Sequence, residues 1–409
     1  MKHKPANQIQ DLQFFGEFGG VNPSISDSST YTFMNAKAMM DTFTGEQAGC
    51  YLYSRHSSPS TQYLSEALAK LENTEAAQVF ASGMGAISST LMQLCKKENH
   101  IVSSRTIYGG TYAFMKHFLP EFGVETSFVD ITNIQAVEAA ITSQTKVLYC
   151  ETLSNPLLEV ADIKALSKLA KQYHLSLVVD NTFTPLCISP TQQGADIVIH
   201  SLTKFINGSS DAVGGAVCGS SEFIESLKDV NHGAGMLLGQ TMDTLRAASI
   251  LKNLRTLPIR MQKHSANALY LAGFFESLGL QCAYPGLQSH KGNQTFQNIG
   301  NAEFGCSGLL TLDLGSLEKA TQFMELMQYE NVGYLAVSLG FYKTLFTASG
   351  SSTSSEIPED EQKEMGLSEG LVRFSIGLDH DIKRTANKIQ KCLVACGILN
   401  NKTQIVVTA

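Results

Sequence analysis

A chain of 409 residues that is 43% hydrophobic can bury a large core, and its length suggests two to three domains. A formal net charge of −7 and a pI near 5.8 argue against a nucleic-acid partner, which needs clustered Lys and Arg to displace counterions. The first ten residues lack the apolar core of a secretory signal, no apolar run is long enough to span a bilayer, and nine scattered cysteines suit a reducing compartment, so a cytoplasmic protein without a membrane partner is expected.

Residues 1–57 show little periodicity and are rich in Gly, Ser, Thr and aromatics, which predicts an extended N-terminal arm. A helical pattern at 60–71 follows. Short apolar runs then recur at 77–81, 100–104, 124–130, 146–151, 175–180, 195–200 and 212–218. Strands separated by helical patterns predict an α/β fold, with a mostly parallel sheet covered by helices on both faces. The first run leads into Ala81-Ser82-Gly83-Met84-Gly85, a glycine turn opening a helix. Backbone amides at such a helix start, with the helix dipole behind them, form a phosphate site. The same string is close to a dinucleotide fingerprint, which expects an acid about twenty residues on. Ser103-Ser104-Arg105 supplies none there; Arg105 would suit a 2′-phosphate, so the dehydrogenase reading is disfavoured, not closed.

Two later runs carry the most informative residues. The strand pattern at 175–180 ends in Asp180, and the one at 195–200 runs through Ser201 and Thr203 into Lys204. A lysine ending a buried strand beside two hydroxyls is placed to form an imine with an aldehyde cofactor while the hydroxyls hold its phosphate. An aspartate ending a neighbouring strand keeps a pyridine nitrogen protonated, because an opposite charge favours the charged form. Together they describe a site for pyridoxal 5′-phosphate (PLP), an electron sink. Alone, each residue has an ordinary explanation as a solvated lysine or a turn aspartate. Ser201-Leu-Thr-Lys204 also satisfies the S-x-x-K pattern of penicillin-recognising enzymes, but their S-D-N and K-T-G strings are missing.

Near Leu257-Pro258 the pattern changes to long helices, as at 261–278, followed by apolar strands such as 307–313. This divides the chain into an arm (1–57), a large cofactor-binding domain (58–256) and a small C-terminal domain (257–409). The stretch 347–356 is serine-rich and reads as a flexible surface loop. Cys392 and Cys396 lie one helical turn apart; core packing explains them better than a metal, and no metal site is expected.

The segments Gly45-Glu-Gln-Ala-Gly49, Tyr53-Ser-Arg55, Ser82-Gly-Met-Gly, Tyr108-Gly-Gly-Thr, Glu151-Thr-Leu-Ser-Asn155-Pro, Val178-Val-Asp180, His200-Ser-Leu-Thr-Lys204 and Gly370-Leu-Val-Arg373 occur in this order. From about Gly16 to Asp379 the chain resembles the Cys/Met-metabolism family of PLP-dependent trans-sulfuration enzymes. The resemblance implies PLP-dependent transferase fold type I, with a smaller α+β C-terminal domain. It implies that Lys204 holds PLP and serves as base at Cα, that Asp180 pairs with the ring nitrogen, and that Gly83, Met84, Ser201 and Thr203 surround the phosphate. Tyr53 and Arg55 would reach the same phosphate from a neighbouring subunit, in a homotetramer built from dimers with shared sites. Tyr108 would stack on the ring and assist the leaving group, Arg373 would receive the carboxylate of a small amino-acid substrate, and Asn155 and Ser338 would flank cofactor and carboxylate.

The implied reaction is γ-elimination from a sulfur amino acid, first of all methionine to methanethiol, ammonia and 2-oxobutanoate. Val337 resembles the methionine-cleaving members, whereas members acting on cystathionine tend to carry Glu there. Gly110 replaces a cysteine usual in the former, so cleavage of cystathionine, or thiol addition to an acylated homoserine, stays open. Ser58-Pro-Ser60 departs from the family pattern, as do extra residues around 235–243 and the 347–356 stretch. The last two are expected near the substrate mouth. A non-catalytic cofactor-binding protein is the remaining class, opposed by the intact Lys204, Asp180 and Arg373 set.

Overall fold

Valine, isoleucine and leucine fill the short runs between helices, and in the computed structural model these runs become strands. Residues 3–43, 49–348 and 357–400 are described; most of the Gly45–Gly49 motif and residues 349–356 of the serine-rich stretch lie outside them. Seven strands form one sheet: β1 (Ala76–Phe80), β2 (His100–Ser104), β3 (Glu125–Val129), β4 (Thr145–Glu151), β5 (Ser176–Asp180), β6 (Ile197–Ser201) and β7 (Gly215–Gly219). Their order is β1-β7-β6-β5-β4-β2-β3. Strand β7 is antiparallel to both neighbours, and every other pairing is parallel.

Successive residues on a strand point to opposite faces, so a sheet buried on both faces needs apolar side chains at every position. That is the case here. Val102, Leu148, Val179 and Val198 pack into one core, while Ile101, Val147, Val178 and Ile199 pack into another across the sheet. The carboxyl ends of β4, β5 and β6 carry Glu151, Asp180 and Ser201.

The helix Pro59–Glu72 covers one face and shows how local chemistry fixes a boundary. Ser58 Oγ accepts from Thr61 N at 3.3 Å, and Thr61 Oγ1 accepts in return from Ser58 N at 2.9 Å, a reciprocal capping box. Proline at the first helical position and Asn73 at φ 58° beyond the last complete the boundaries. Within the segment to residue 57, read above as an extended arm, Pro5–Gln10 and Ala36–Phe43 are helical. The first of these inserts Ile9 into the large core.

A second sheet holds β8 (Gln281–Ala283), β9 (Leu309–Asp313), β10 (Gly333–Leu335), β11 (Thr344–Ala348) and β12 (Leu371–Ser375), ordered β10-β11-β12-β9-β8. Thr347 and Ala348, assigned above to the flexible stretch, are the end of β11 and pair with Arg373 and Val372. The long helix Leu257–Ser277 joins the two units, with Leu257 and Met261 in the first core and Ala268, Leu271 and Phe275 in the second. On β12, Phe374 packs against Phe275, Phe323 and Phe346. Its neighbour Arg373 therefore points the other way, toward the first sheet.

Removing the Ser58 hydroxyl leaves the Thr61 amide unsatisfied in a buried position. Ser58→Ala is expected to cost about 1 kcal/mol, read as an earlier unfolding transition in urea.

Candidate active site

Three parallel strands, β4, β5 and β6, end side by side, with Glu151 in register with Asp180 and Asp180 with Ile199. The carboxyl ends of parallel strands are where open α/β sheets bind ligands. Here they form the floor of a cavity of about 240 Å³, whose lining includes Gly83, Met84, Tyr108, Asn155, Asp180, Ser201, Thr203, Lys204 and Arg373. The fold thus brings together nine of the residues singled out in the sequence. Ser338 joins them through its hydroxyl, which accepts a bond from Lys204 Nζ at 3.3 Å.

Lys204 stands on a turn directly after β6. Its carbonyl accepts from Gly208 N at 2.8 Å, and the buried guanidinium of Arg260 binds the carbonyls of Phe205 and Ile206 just beyond it. Gly340, at φ 80°, lets the 337–340 loop close onto this turn; a Cβ there would lie 2.6 Å from Phe205 N. Burial, and then the Arg373 charge, pull the Lys204 ammonium down to about 8. The hydroxyl that the amine bonds is Ser338 and not Ser201 of the S-x-x-K string, which gives the serine-hydrolase reading no support.

Asp180 is 7% exposed, and its Oδ1 accepts from Thr182 N at 2.9 Å. Burial pushes its carboxyl above the ordinary range, opposed by the Thr182 bonds. Glu151, beside it, is raised further by burial and by Asp180. A cation between the two strands and the opposite wall relieves this, which is what a pyridinium nitrogen supplies. Arg373, 3% exposed, donates from Nη1 to Asn155 Oδ1 at 2.8 Å, while its buried Nε has no partner. Burial pulls its guanidinium down only to about 10, so it keeps its charge. A buried guanidinium with a spare donor facing a cavity is a carboxylate receptor in waiting.

The opposite end of the cavity suits a phosphate. Ser82 Oγ caps the helix Gly83–Leu94 by accepting from Gly85 N at 2.9 Å, leaving the first amides pointing inward. A Cβ on Gly83 would lie 2.9 Å from Ser201 Cβ, so only glycine lets the turn approach β6 this closely. Thr203 Oγ1 is pinned by Gly214 N at 3.1 Å. Aldehyde-reactive amine, buried carboxylate, hydroxyls and amide cup fit PLP without rearrangement.

Tyr53 and Arg55 do not line this cavity. Tyr53 is 47% exposed, and the Arg55 guanidinium sits 5.7 Å from its ring centroid. The 235–243 segment, expected at the substrate mouth, also contributes nothing to the lining. It braces the phosphate turn from behind. Gln240 O accepts from Ala81 N at 3.1 Å, and its Nε2 donates to Ser88 Oγ at 3.0 Å. Sequence reasoning gave no role to Glu151, Thr182, Phe183 or Val213, which all line the cavity. For Glu151 the signal existed, since it too ends a buried apolar strand. Cys392 is buried in the second core, and no group of three or more potential metal ligands occurs among the described residues. Among those residues no helix is long and apolar enough to cross a membrane.

Comparison with known proteins agrees with this geometry. Residues 7–385 match the family described as Cys/Met metabolism PLP-dependent enzyme. A methionine gamma-lyase of Arabidopsis thaliana is 43% identical over 95% of this chain and 90% of its own length. A cystathionine gamma-lyase of Bacillus subtilis is 36% identical over 88% and 91%. Among solved structures, a protein of Campylobacter jejuni described as an O-acetylhomoserine (thiol)-lyase, containing N′-pyridoxyl-lysine-5′-monophosphate, superposes with a TM-score of 0.88 at 28% identity, covering 95% of this chain and 99% of that one. The mostly parallel seven-stranded sheet with helices and the second, smaller sheet are those of PLP-dependent fold type I. The chain belongs to the Cys/Met metabolism family, and it is a PLP-dependent carbon–sulfur lyase.

Only a neutral amine attacks an aldehyde. PLP uptake by cofactor-free protein, followed by visible absorption, should therefore quicken with pH and reach half its maximum near pH 8. An ordinary lysine would delay this to about pH 10.4. Borohydride treatment of the loaded protein should fix the label on Lys204, read by peptide mass.

Proposed function

We propose that this enzyme cleaves L-methionine at Cγ, consuming one water and releasing methanethiol, ammonia and 2-oxobutanoate. One observation carries the reading: Lys204, Tyr108 and Arg373 line a single cavity whose lining also includes the apolar Val213, Val337 and Leu339. Bound PLP supplies an electron sink for charge developed at Cα and Cβ. Arg373, oriented by Asn155, holds the substrate carboxylate and so fixes which Cα bond faces the lysine. Lys204, with its pKa lowered to about 8, has a far larger free-base fraction near neutral pH than a solvated lysine and is suited to take the Cα proton. Tyr108, which lines the same cavity, would assist departure of the γ-sulfur. Val337, 65% exposed at the rim, offers no charge for a longer polar substrate to engage, which supports a thioether tail.

A second reading, thiol addition to an acylated homoserine, is favoured by Tyr108-Gly-Gly-Thr and by the likeness to the Campylobacter protein. The position of Tyr53 and Arg55 outside their own cavity supports a dimer in which each chain completes the other's phosphate site, within a homotetramer. A cytoplasmic location is supported by the nine scattered cysteines, which suit a reducing compartment.

A panel of methionine, cystathionine, homocysteine, cysteine and O-acetylhomoserine with sulfide, scored for ketoacid and thiol, tests the reaction. The expected result is 2-oxobutanoate and methanethiol from methionine. Homocysteine formed from O-acetylhomoserine, with methionine inert, overturns the first reading in favour of the second. Arg373→Lys keeps the charge and loses the planar fork, and should raise KM for methionine roughly 10- to 100-fold, the equivalent of the 1.5–3 kcal/mol of one charge-assisted bond.

A further inference from the structure

Glu151 is a costly residue for this place. It is a buried carboxylate in direct register with a second one, Asp180, on the adjoining strand, and a neutral side chain of similar shape would spare the fold that repulsion. Its two oxygens explain its presence. Oε1 accepts from Tyr108 N at 2.7 Å, and Oε2 accepts from Asn155 N at 3.0 Å. Among common side chains of this size, only an ionised carboxylate offers acceptors alone on both arms; Gln would turn an NH₂ against one of the amides.

Each of those amides belongs to a residue of the cavity wall. Tyr108 begins the short helix Gly109–Ala113, and its carbonyl accepts from Thr111 N at 2.9 Å and Tyr112 N at 3.0 Å. With its N–H on Glu151, the Tyr108 backbone is held from both sides, and this sets where its ring projects. Asn155 in turn accepts from Arg373 Nη1 at 2.8 Å. A single carboxylate thus connects the residue over the cofactor ring to the residue that receives the substrate.

We propose that Glu151 is a positioning residue, whose paired bonds to the Tyr108 and Asn155 amides set the aim of Tyr108 and, through Asn155, of Arg373. The proposal rests on the reading of this cavity as the PLP and amino-acid site. It adds a residue of the cavity floor whose role is exerted through the backbone amides of Tyr108 and Asn155.

The test compares Glu151→Gln with Glu72→Gln in PLP-loaded protein. Glu72 is also buried, but it bonds His200 Nε2 at 2.7 Å and Asn181 Nδ2 at 3.0 Å. His200 precedes Ser201 on β6 and so faces away from the cavity. Visible circular dichroism of the bound cofactor, the Kd for PLP and Tm are measured without substrate; KM and kcat for methionine follow. Glu151→Gln should fold, lose at least half of the cofactor dichroism, raise KM about tenfold and lower kcat roughly 10²-fold, as misplacement of positioned groups does. Glu72→Gln should lower Tm and leave the dichroism and KM within twofold of the parent. If Glu151→Gln keeps the parent dichroism and KM, or if both variants change them alike, the proposal is overturned. Should Glu151→Gln fail to fold, Glu151→Asp, with the same acceptors one methylene back, is read by the same two outcomes. Because dichroism is taken without substrate, failure of methionine as substrate does not obscure the result for Glu151.

Discussion

An amine taken out of water beside a guanidinium gives up its proton more readily than a solvated one, and the site is arranged around that fact. Lys204 is held on a turn fixed by Arg260 on one side and by the 337–340 loop on the other, so it cannot relax into solvent. Depressed basicity serves twice: the free amine captures an aldehyde cofactor, and once displaced it accepts a proton at Cα. A solvated lysine would remain an ammonium ion near neutral pH and do neither.

The sheet makes this arrangement possible by geometry. Parallel strands deliver their carboxyl ends to one edge, so Glu151, Asp180 and Ser201 arrive together although fifty residues separate the first from the last. Alternation along each strand sends His200 and Asn181 to Glu72 beneath the sheet, while Asp180 and Ser201 face the cavity. The second sheet contributes Arg373 by the same rule, because Phe374 is committed to its own core. Large and small units thus meet over the cavity, the first offering Glu151, Asp180 and Lys204 and the second Arg373.

Much of the large sheet was legible from hydrophobic patterning. The run at 100–104 coincides with β2, and the others differ from their strands by a few residues at the ends. Strand ends are decided by ladder partners and not by the residue's own preference, which explains the shift of the first residue of β6 from 195 to 197. The Lys204 and Asp180 pair was readable because the two together, with hydroxyls beside the lysine, are far less expected by chance than either alone. Glu151 also ends a buried apolar strand and went unread, since its value lies in two amides contributed by residues 108 and 155. Gln240 gave no local signal, and its bracing of the phosphate turn exists only where its segment folds back against Ala81 and Ser88.

What the sequence alone determined was composition at close range: apolar runs that must be strands, a glycine turn that must approach its neighbour, hydroxyls and a lysine adjacent in the chain. Family membership followed from the order of these pieces. Tertiary structure alone decided which side chains share a cavity, that Gln240 braces the phosphate turn from outside its own chain's cavity, and that Thr347 and Ala348 complete a strand. Those outcomes depend on contacts between residues far apart in the chain and on the withdrawal of charges from water, and neither is written in the immediate neighbourhood of any one residue.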